Sequence, residues 1–204
     1  MTIANPQTVV PAVESERVPV GLTDEDHTAM IPRLRALIRD VHDFPKPGIV
    51  YKDITPLLRD PAALSLAMEC LAQPFRGTHV DAVAGAESRG FITAMAVAAK
   101  LSAGFVPIRK PGRLPFETKS EQYELEYGTD CLEIHVDAVQ PGEHVLLVDD
   151  LLATGGTMVS CCKLVESLGA KVVGVAFLLE LTFLGGRKRL GDYPIHSILK
   201  FDKP

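Results

Sequence analysis

Val145-Leu146-Leu147-Val148-Asp149-Asp150-Leu151-Leu152-Ala153-Thr154-Gly155-Gly156-Thr157 decides how this chain is read. It begins as an apolar, partly β-branched run, the pattern of a strand buried on both faces in a parallel sheet. Two adjacent carboxylates end it, and a short Thr/Gly loop follows. Met158, Cys161, Cys162, Val165 and Leu168 then recur at the spacing of one helix face. A strand therefore delivers two acids, and a glycine loop opens onto a helix start. Backbone N–H groups there have no intrahelical partner and carry the positive end of the helix dipole. Gly155 and Gly156 let the backbone approach a ligand, and Thr154 and Thr157 add hydroxyls. The pattern predicts a phosphate cradle. It lacks the Gly-Lys-Ser/Thr of a Walker A loop. Asp149 and Asp150 fall at the carboxyl end of the strand, where open α/β sheets bind ligands. Ionised acids are acceptors only, which suits sugar hydroxyls. The plainer alternative is an acidic helix cap after a core strand.

The rest of the chain supplies a frame for that unit. Val80 to Gly85 reads as a strand, followed by the loop 86–90 and a helix with Phe91, Ala94, Met95, Ala98 and Leu101 on its inner face. Gly104 to Ile108 is a further strand, and Val172 to Leu179 an interior one. Leu184 to Leu190 reads as a short helix and Ile195 to Phe201 as a last strand. Repeated β-loop-α-β order predicts an α/β fold, an open parallel sheet with helices on both faces. Upstream, Ile31, Leu34, Ile38 and Val41 suggest a helix that Pro32 either starts or kinks. Asp43 to Gly48 is loop, and Asp60-Pro61 is a cap with proline at the first helical position. Pro111 to Tyr123 is polar and without period, which predicts a flexible lid loop or a disordered segment. The alternating Leu132, Ile134 and Val136 lead out of it as a strand.

At 204 residues the sequence has the length of one domain. Residues 1–22 are expected to be a mobile N-terminal arm and 23–204 a single domain. The net charge of −5 argues against a nucleic-acid binder, and no apolar run is long enough for a membrane span. Cys70, Cys131, Cys161 and Cys162 form no C-x-x-C pair, so they read as reduced thiols of a cytoplasmic protein. His27, His42, His79, His135, His144 and His196 show no ligand spacing, so no protein-held metal is expected.

The 145–157 string resembles the 5-phosphoribosyl-1-diphosphate signature of the type I phosphoribosyltransferases. Asp43-Phe44-Pro45, Pro47 to Val50, Asp53-Ile54, Ser88 to Phe91, Ile108 to Lys110, Leu125 to Gly128 and Glu180-Leu181-Thr182 follow in family order, from about Ile31 onward. Leu125-Glu126-Tyr127-Gly128, with Asp43 to Asp53, resembles the adenine-using branch. The resemblance implies the sheet above plus a small N-terminal hood. It implies transfer of the phosphoribosyl group from 5-phosphoribosyl-1-diphosphate to adenine, giving AMP and diphosphate. Magnesium would arrive with the diphosphate substrate, and the chain would be a homodimer with neither nucleic acid nor membrane as a partner. Another purine as acceptor, or a regulator built on the same fold, are the competing readings.

By the same resemblance, Asp149, Asp150, Ala153, Thr154, Gly155, Gly156 and Thr157 bind ribose and 5′-phosphate. Ser88, Arg89, Arg109, Lys110 and Arg113 bind diphosphate, with a cis peptide expected at Glu87–Ser88. Val50, Tyr51, Lys52 and Leu151 bind adenine. Glu126, Arg89 and Tyr127 are the catalytic residues, Glu126 donating a proton to N7. Two departures stand out, since the family usually has Asp at position 87 and commonly Arg at position 52. Plainer roles remain: a surface charge for Arg89, solvated-loop cations for Lys110 and Arg113, a core position for Val50, an exposed strand glutamate for Glu126.

Overall fold

The computed structural model describes residues 24–124 and 129–204. The expected arm 1–22 lies outside them, as do Glu126 and Tyr127. The chain divides into two compact units between Leu66 and Ala67.

In the first unit, α1 (Asp24–Ala36) leads to an antiparallel pair, β1 (Arg39–His42) and β2 (Val50–Asp53). The helix predicted through Val41 therefore stops early, and Pro32 lies within it. Val41 pairs with Tyr51 in the ladder instead, a long-range partner that local periodicity cannot reveal. Arg39 bridges Asp53 at 2.6 Å across the end of the pair. The loop between the strands closes where the Asp43 carboxylate accepts the Gly48 N–H at 2.7 Å. Next come α2 (Thr55–Arg59) and α3 (Pro61–Ala72), within which the division between the units falls. Asp60 caps α3 as its sequence predicts, its Oδ1 accepting the Ala63 N–H at 2.8 Å.

The second unit is built on five parallel strands in the order β4 (Gly104–Ile108), β3 (Ala82–Ala86), β7 (His144–Leu152), β8 (Lys171–Leu181) and β9 (Ile195–Phe201). The quoted strand, β7, is thus in the middle. Its Val145 to Val148 are fully buried because neighbours cover both faces. α4 (Arg89–Leu101) covers one face, packed so closely that a Cβ on Gly85 would meet Ala94 Cβ at 2.6 Å. α5 (Gly156–Ser167) covers the other, where Met158, Cys161, Leu164 and Val165 join Ala84, Leu147 and Phe177 in one core. Truncating Leu147 or Phe177 to Ala would cost about 2–5 kcal/mol.

α4 turns differently from its predicted face. Thr93, Ala94, Val97 and Ala98 are buried, whereas Met95 is 52% exposed. Small residues sit inward because the sheet comes so near. The polar segment 111–123 is also not loop throughout. β5 (Thr118–Glu124) pairs in antiparallel register with β6 (Thr129–His135). It carries no apolar alternation because polar anchors hold it: Lys119 Nζ donates to the Ser167 carbonyl at 2.8 Å and Lys163 pairs with Glu121 at 2.9 Å. α6 (Gly186–Leu190) is the short helix expected before β9. All four cysteines are free. Among the described residues no helix is long and apolar enough to cross a membrane. His79 and His144, unrelated in sequence spacing, meet beside Asp81.

Candidate active site

The carboxyl ends of β3 and β7 open onto a cleft of about 430 Å³ lined by Ala86 to Arg89, Lys110, Leu132, Asp149 to Met158 and Phe177. Parallel strands direct their last residues to the same end, which is why one acidic string and one Ser-Arg loop converge.

The floor is the cradle. Gly155 is the N-cap of α5, at φ +82°, and no side chain caps the helix. The first-turn N–H groups are therefore left for an anion, and the acidic-cap alternative for Asp149 and Asp150 does not hold. Besides the expected approach of a ligand, Gly155 has a second reason to be glycine. A Cβ there would meet the Gly186 carbonyl oxygen at 2.8 Å, so it makes room for α6. The positive φ separately favours glycine.

The two acids differ in environment. Asp150 is buried and paired with Arg89, Nε to Oδ2 at 2.6 Å. That pair answers the dipole conflict of a cation at the start of α4, because the guanidinium has a fixed counter-charge. Asp149 Oδ1 accepts the Asp150 N–H at 2.9 Å and lies where a Gly90 side chain would begin, a Cβ there meeting it at 2.6 Å. Burial raises the Asp149 carboxyl well above the usual carboxylate range, and the neighbouring Asp150 charge adds to it.

Across the cleft, the Glu87–Ser88 peptide is cis. Arg109 Nε pairs with Glu87 Oε2 at 2.7 Å, and its Nη1 donates to the Arg113 carbonyl at 3.0 Å. Of the three cations expected around a diphosphate at 109–113, Lys110 lines the cleft; Arg109 and Arg113 are not among its walls. The longer Glu87 reaches Arg109, a pairing no local spacing announces.

The expected base-binding residues fall in both units. Leu151 lines the cleft. In the first unit, Lys52 turns its side chain to Asp40, Nζ to Oδ1 at 2.9 Å, and is buried. Tyr51 meets the Phe44 ring edge-on, centroids 5.2 Å apart.

Sequence reasoning missed the support behind the cradle. Arg187 grips the buried Glu180 through Nε at 3.0 Å and Nη2 at 2.7 Å, and donates from Nη1 to the Ile195 carbonyl at 3.2 Å. The pair fixes the helix whose Gly186 backs the loop. The adjacent Gly185-Gly186 was the available signal.

A strand-borne acid pair beside an uncapped glycine-rich helix start has the donors and acceptors that a sugar phosphate calls for, and the phosphoribosyl transferase domain family matches residues 53–198. The class is therefore that of the phosphoribosyltransferases. Adenine phosphoribosyltransferase from Nitrosococcus oceani is 56% identical over 83% of this chain and 99% of its own. The crystal structure of the enzyme of that name from Thermoanaerobacter pseudethanolicus superposes with a TM-score of 0.82 at 54% identity, covering 84% of this chain and 99% of that one. The Saccharomyces cerevisiae one, complexed with an imino-altritol bisphosphate and adenine, gives 0.80 at 36% identity over 84% and 99%. The chain belongs to the adenine phosphoribosyltransferase family.

Proposed function

We propose that the chain makes AMP and diphosphate from adenine and 5-phosphoribosyl-1-diphosphate, as a step of purine salvage. The observation that carries this is the cleft itself, with its uncapped α5 start, Asp149-Asp150 and Lys110, in a chain of this family.

In this reading adenine N9 bonds to ribose C1 as the C1–oxygen bond to diphosphate breaks, through a transition state with positive charge on the sugar. Ala153 to Thr157 hold the 5′-phosphate by backbone N–H and hydroxyl groups. Asp149 and Asp150 accept the 2′- and 3′-hydroxyls, and Asp150 keeps Arg89 turned along the wall. Ser88, Arg89 and Lys110 receive the diphosphate, joined by Arg109 and Arg113 from the adjoining loop. Val50 and Lys52 read adenine through backbone atoms. The engagement of the Lys52 ammonium by Asp40 supports this, since it leaves the residue's identity at position 52 unimportant for the base. Tyr51 and Leu151 stack on it. Glu126, as the neutral acid, gives its proton to N7 while the departing diphosphate takes the N9 proton; the N7 proton then returns to the Glu126 carboxylate, with Tyr127 beside it.

Magnesium comes as part of the diphosphate substrate, where it neutralises the leaving group. The hard carboxylate oxygens of Asp149 and Asp150 are donors of a kind that suits it. The enzyme works as a cytoplasmic homodimer; the exposed Ile92 and Met95 on α4 supply an apolar face for pairing. The deciding experiment is a purine panel with 5-phosphoribosyl-1-diphosphate and Mg²⁺. Adenine alone should yield nucleotide. Preferred turnover of hypoxanthine, or binding without turnover of any base, would refute the assignment.

A further inference from the structure

Three side chains with metal-ligand chemistry converge at the amino ends of β3 and β7, away from the carboxyl ends that form the cleft. Asp81 immediately precedes β3, His79 stands two residues before it, and His144 opens β7. The two strands are hydrogen-bonded neighbours, Ala82 beside Val145, so their leading residues are held together. The Asp81 N–H donates to the His144 carbonyl at 2.9 Å, and the His144 N–H returns a bond to Asp81 Oδ2 at 2.8 Å. Gly104 N–H donates to the Asp81 carbonyl at 2.9 Å, which ties in β4 as well. The carboxylate is thus set by three strands of the sheet before any ligand arrives.

The imidazoles close on it from two sides. His79 Nε2 lies 2.9 Å from Asp81 Oδ1, and His144 Nδ1 lies 3.6 Å from Oδ2. The rings are 5.5 Å apart and inclined at 74°. One ligand atom from each residue lies within 4.8 Å of the other two. From these positions we infer that His79, Asp81 and His144 form a surface site for a transition-metal dication of the zinc and cobalt type.

Distance and donor type both support it. Ligands bonded at about 2.0–2.1 Å to a tetrahedral ion sit roughly 3.3–3.4 Å apart. The two carboxylate-to-imidazole separations, one to each Asp81 oxygen, lie on either side of that value, and the His79 side chain, 74% exposed, is free of packing that would stop it turning toward a shared ion. Two imidazoles with one carboxylate suit zinc, cobalt or nickel, whereas magnesium takes oxygen ligands and keeps its waters. The site would therefore discriminate against the ion that accompanies the diphosphate. The His144 N–H leads in holding the Asp81 carboxyl below the usual range, so it is ionised at neutral pH without help from a metal. Water fills the remaining coordination positions. An ion here ties together the starts of the two strands whose ends carry Ser88 and Asp149. Its effect is on stability and not on the reacting atoms.

The test uses the full, untagged chain without phosphoribosyl donor, titrated with Co²⁺ by visible absorption and with Zn²⁺ by calorimetry. One equivalent should bind, with the intense d–d bands of low-coordinate Co²⁺, and Zn²⁺ should raise Tm. His79→Ala should weaken Zn²⁺ binding at least tenfold and abolish the rise in Tm, with kcat/KM for AMP formation unchanged. Since His79 is exposed, this variant should fold; His144→Gln should behave alike. Absence of stoichiometric binding, wild-type affinity in His79→Ala, or equal competition by Mg²⁺ would each overturn the site.

Discussion

Gly155 and Gly186 are packed backbone to backbone. A Cβ on Gly155 would meet the Gly186 carbonyl at 2.8 Å, and one on Gly186 would run first into the Ala153 carbonyl oxygen, then into Leu152 Cδ1 at 2.9 Å and the Gly155 nitrogen at 3.1 Å. The cradle is thus held from behind by the start of α6. Gly186→Ala should push the loop forward, with an overpacking cost of about 1–3 kcal/mol. We expect AMP affinity, read by calorimetry, to fall more than tenfold while the protein remains folded. Wild-type affinity would show that α6 does not set the cradle.

Arg187 anchors the same helix through Glu180. Arg187→Met leaves a buried carboxylate without its partner, a loss of about 1–3 kcal/mol. The Arg187 hydrogen bond holds the Glu180 carboxyl below its ordinary value. Its contribution is therefore present above the ordinary glutamate pKa and lost as pH falls through the lowered folded value. Urea melts of wild type and variant should differ at pH 7, and the difference should begin to shrink only as pH falls below the ordinary glutamate pKa of about 4.3. Arg187→Lys should recover part of the loss.

Asp149 has the opposite sign. Its raised carboxyl binds a proton more tightly in the folded protein than in the unfolded chain. The favourable contribution is complete below the ordinary aspartate pKa and disappears as pH rises through the raised value. Asp149→Asn should then raise Tm at neutral pH, with a gain that shrinks on acidification. AMP binding should weaken at the same time, because a hydroxyl acceptor is lost. A variant that binds AMP normally would remove Asp149 from the ribose site.

Glu126 is the remaining wager on chemistry. Glu126→Leu should lower kcat by roughly 10²–10⁴ at saturating substrates. Glu126→Gln should lose less, because an amide still donates a hydrogen bond to N7. Unchanged turnover in the Leu variant would exclude a proton-donor role.

The sequence by itself determined the middle of the fold and the floor of the cleft. Val145 to Gly156 couples a doubly buried strand to a helix start, and both signals are local: a hydrophobic run, then glycines where the helix begins. Ser88-Arg89 and Lys110 were legible because strand ends announce them. Local pattern failed where long-range partners chose the structure. Val41 joined β1 because Tyr51 lies opposite, and β5 formed from polar residues because a ladder and α5 hold it. Met95 faced outward because Ala94 had to meet Gly85. Which acid is neutralised by Arg89, which cation Glu87 captures, why Gly155 must be glycine, and the meeting of His79 with His144 were decided only by tertiary structure. The physical reason is common to all four: charge pairing and close packing depend on distances between segments far apart in the chain, and residue spacing carries no such distances.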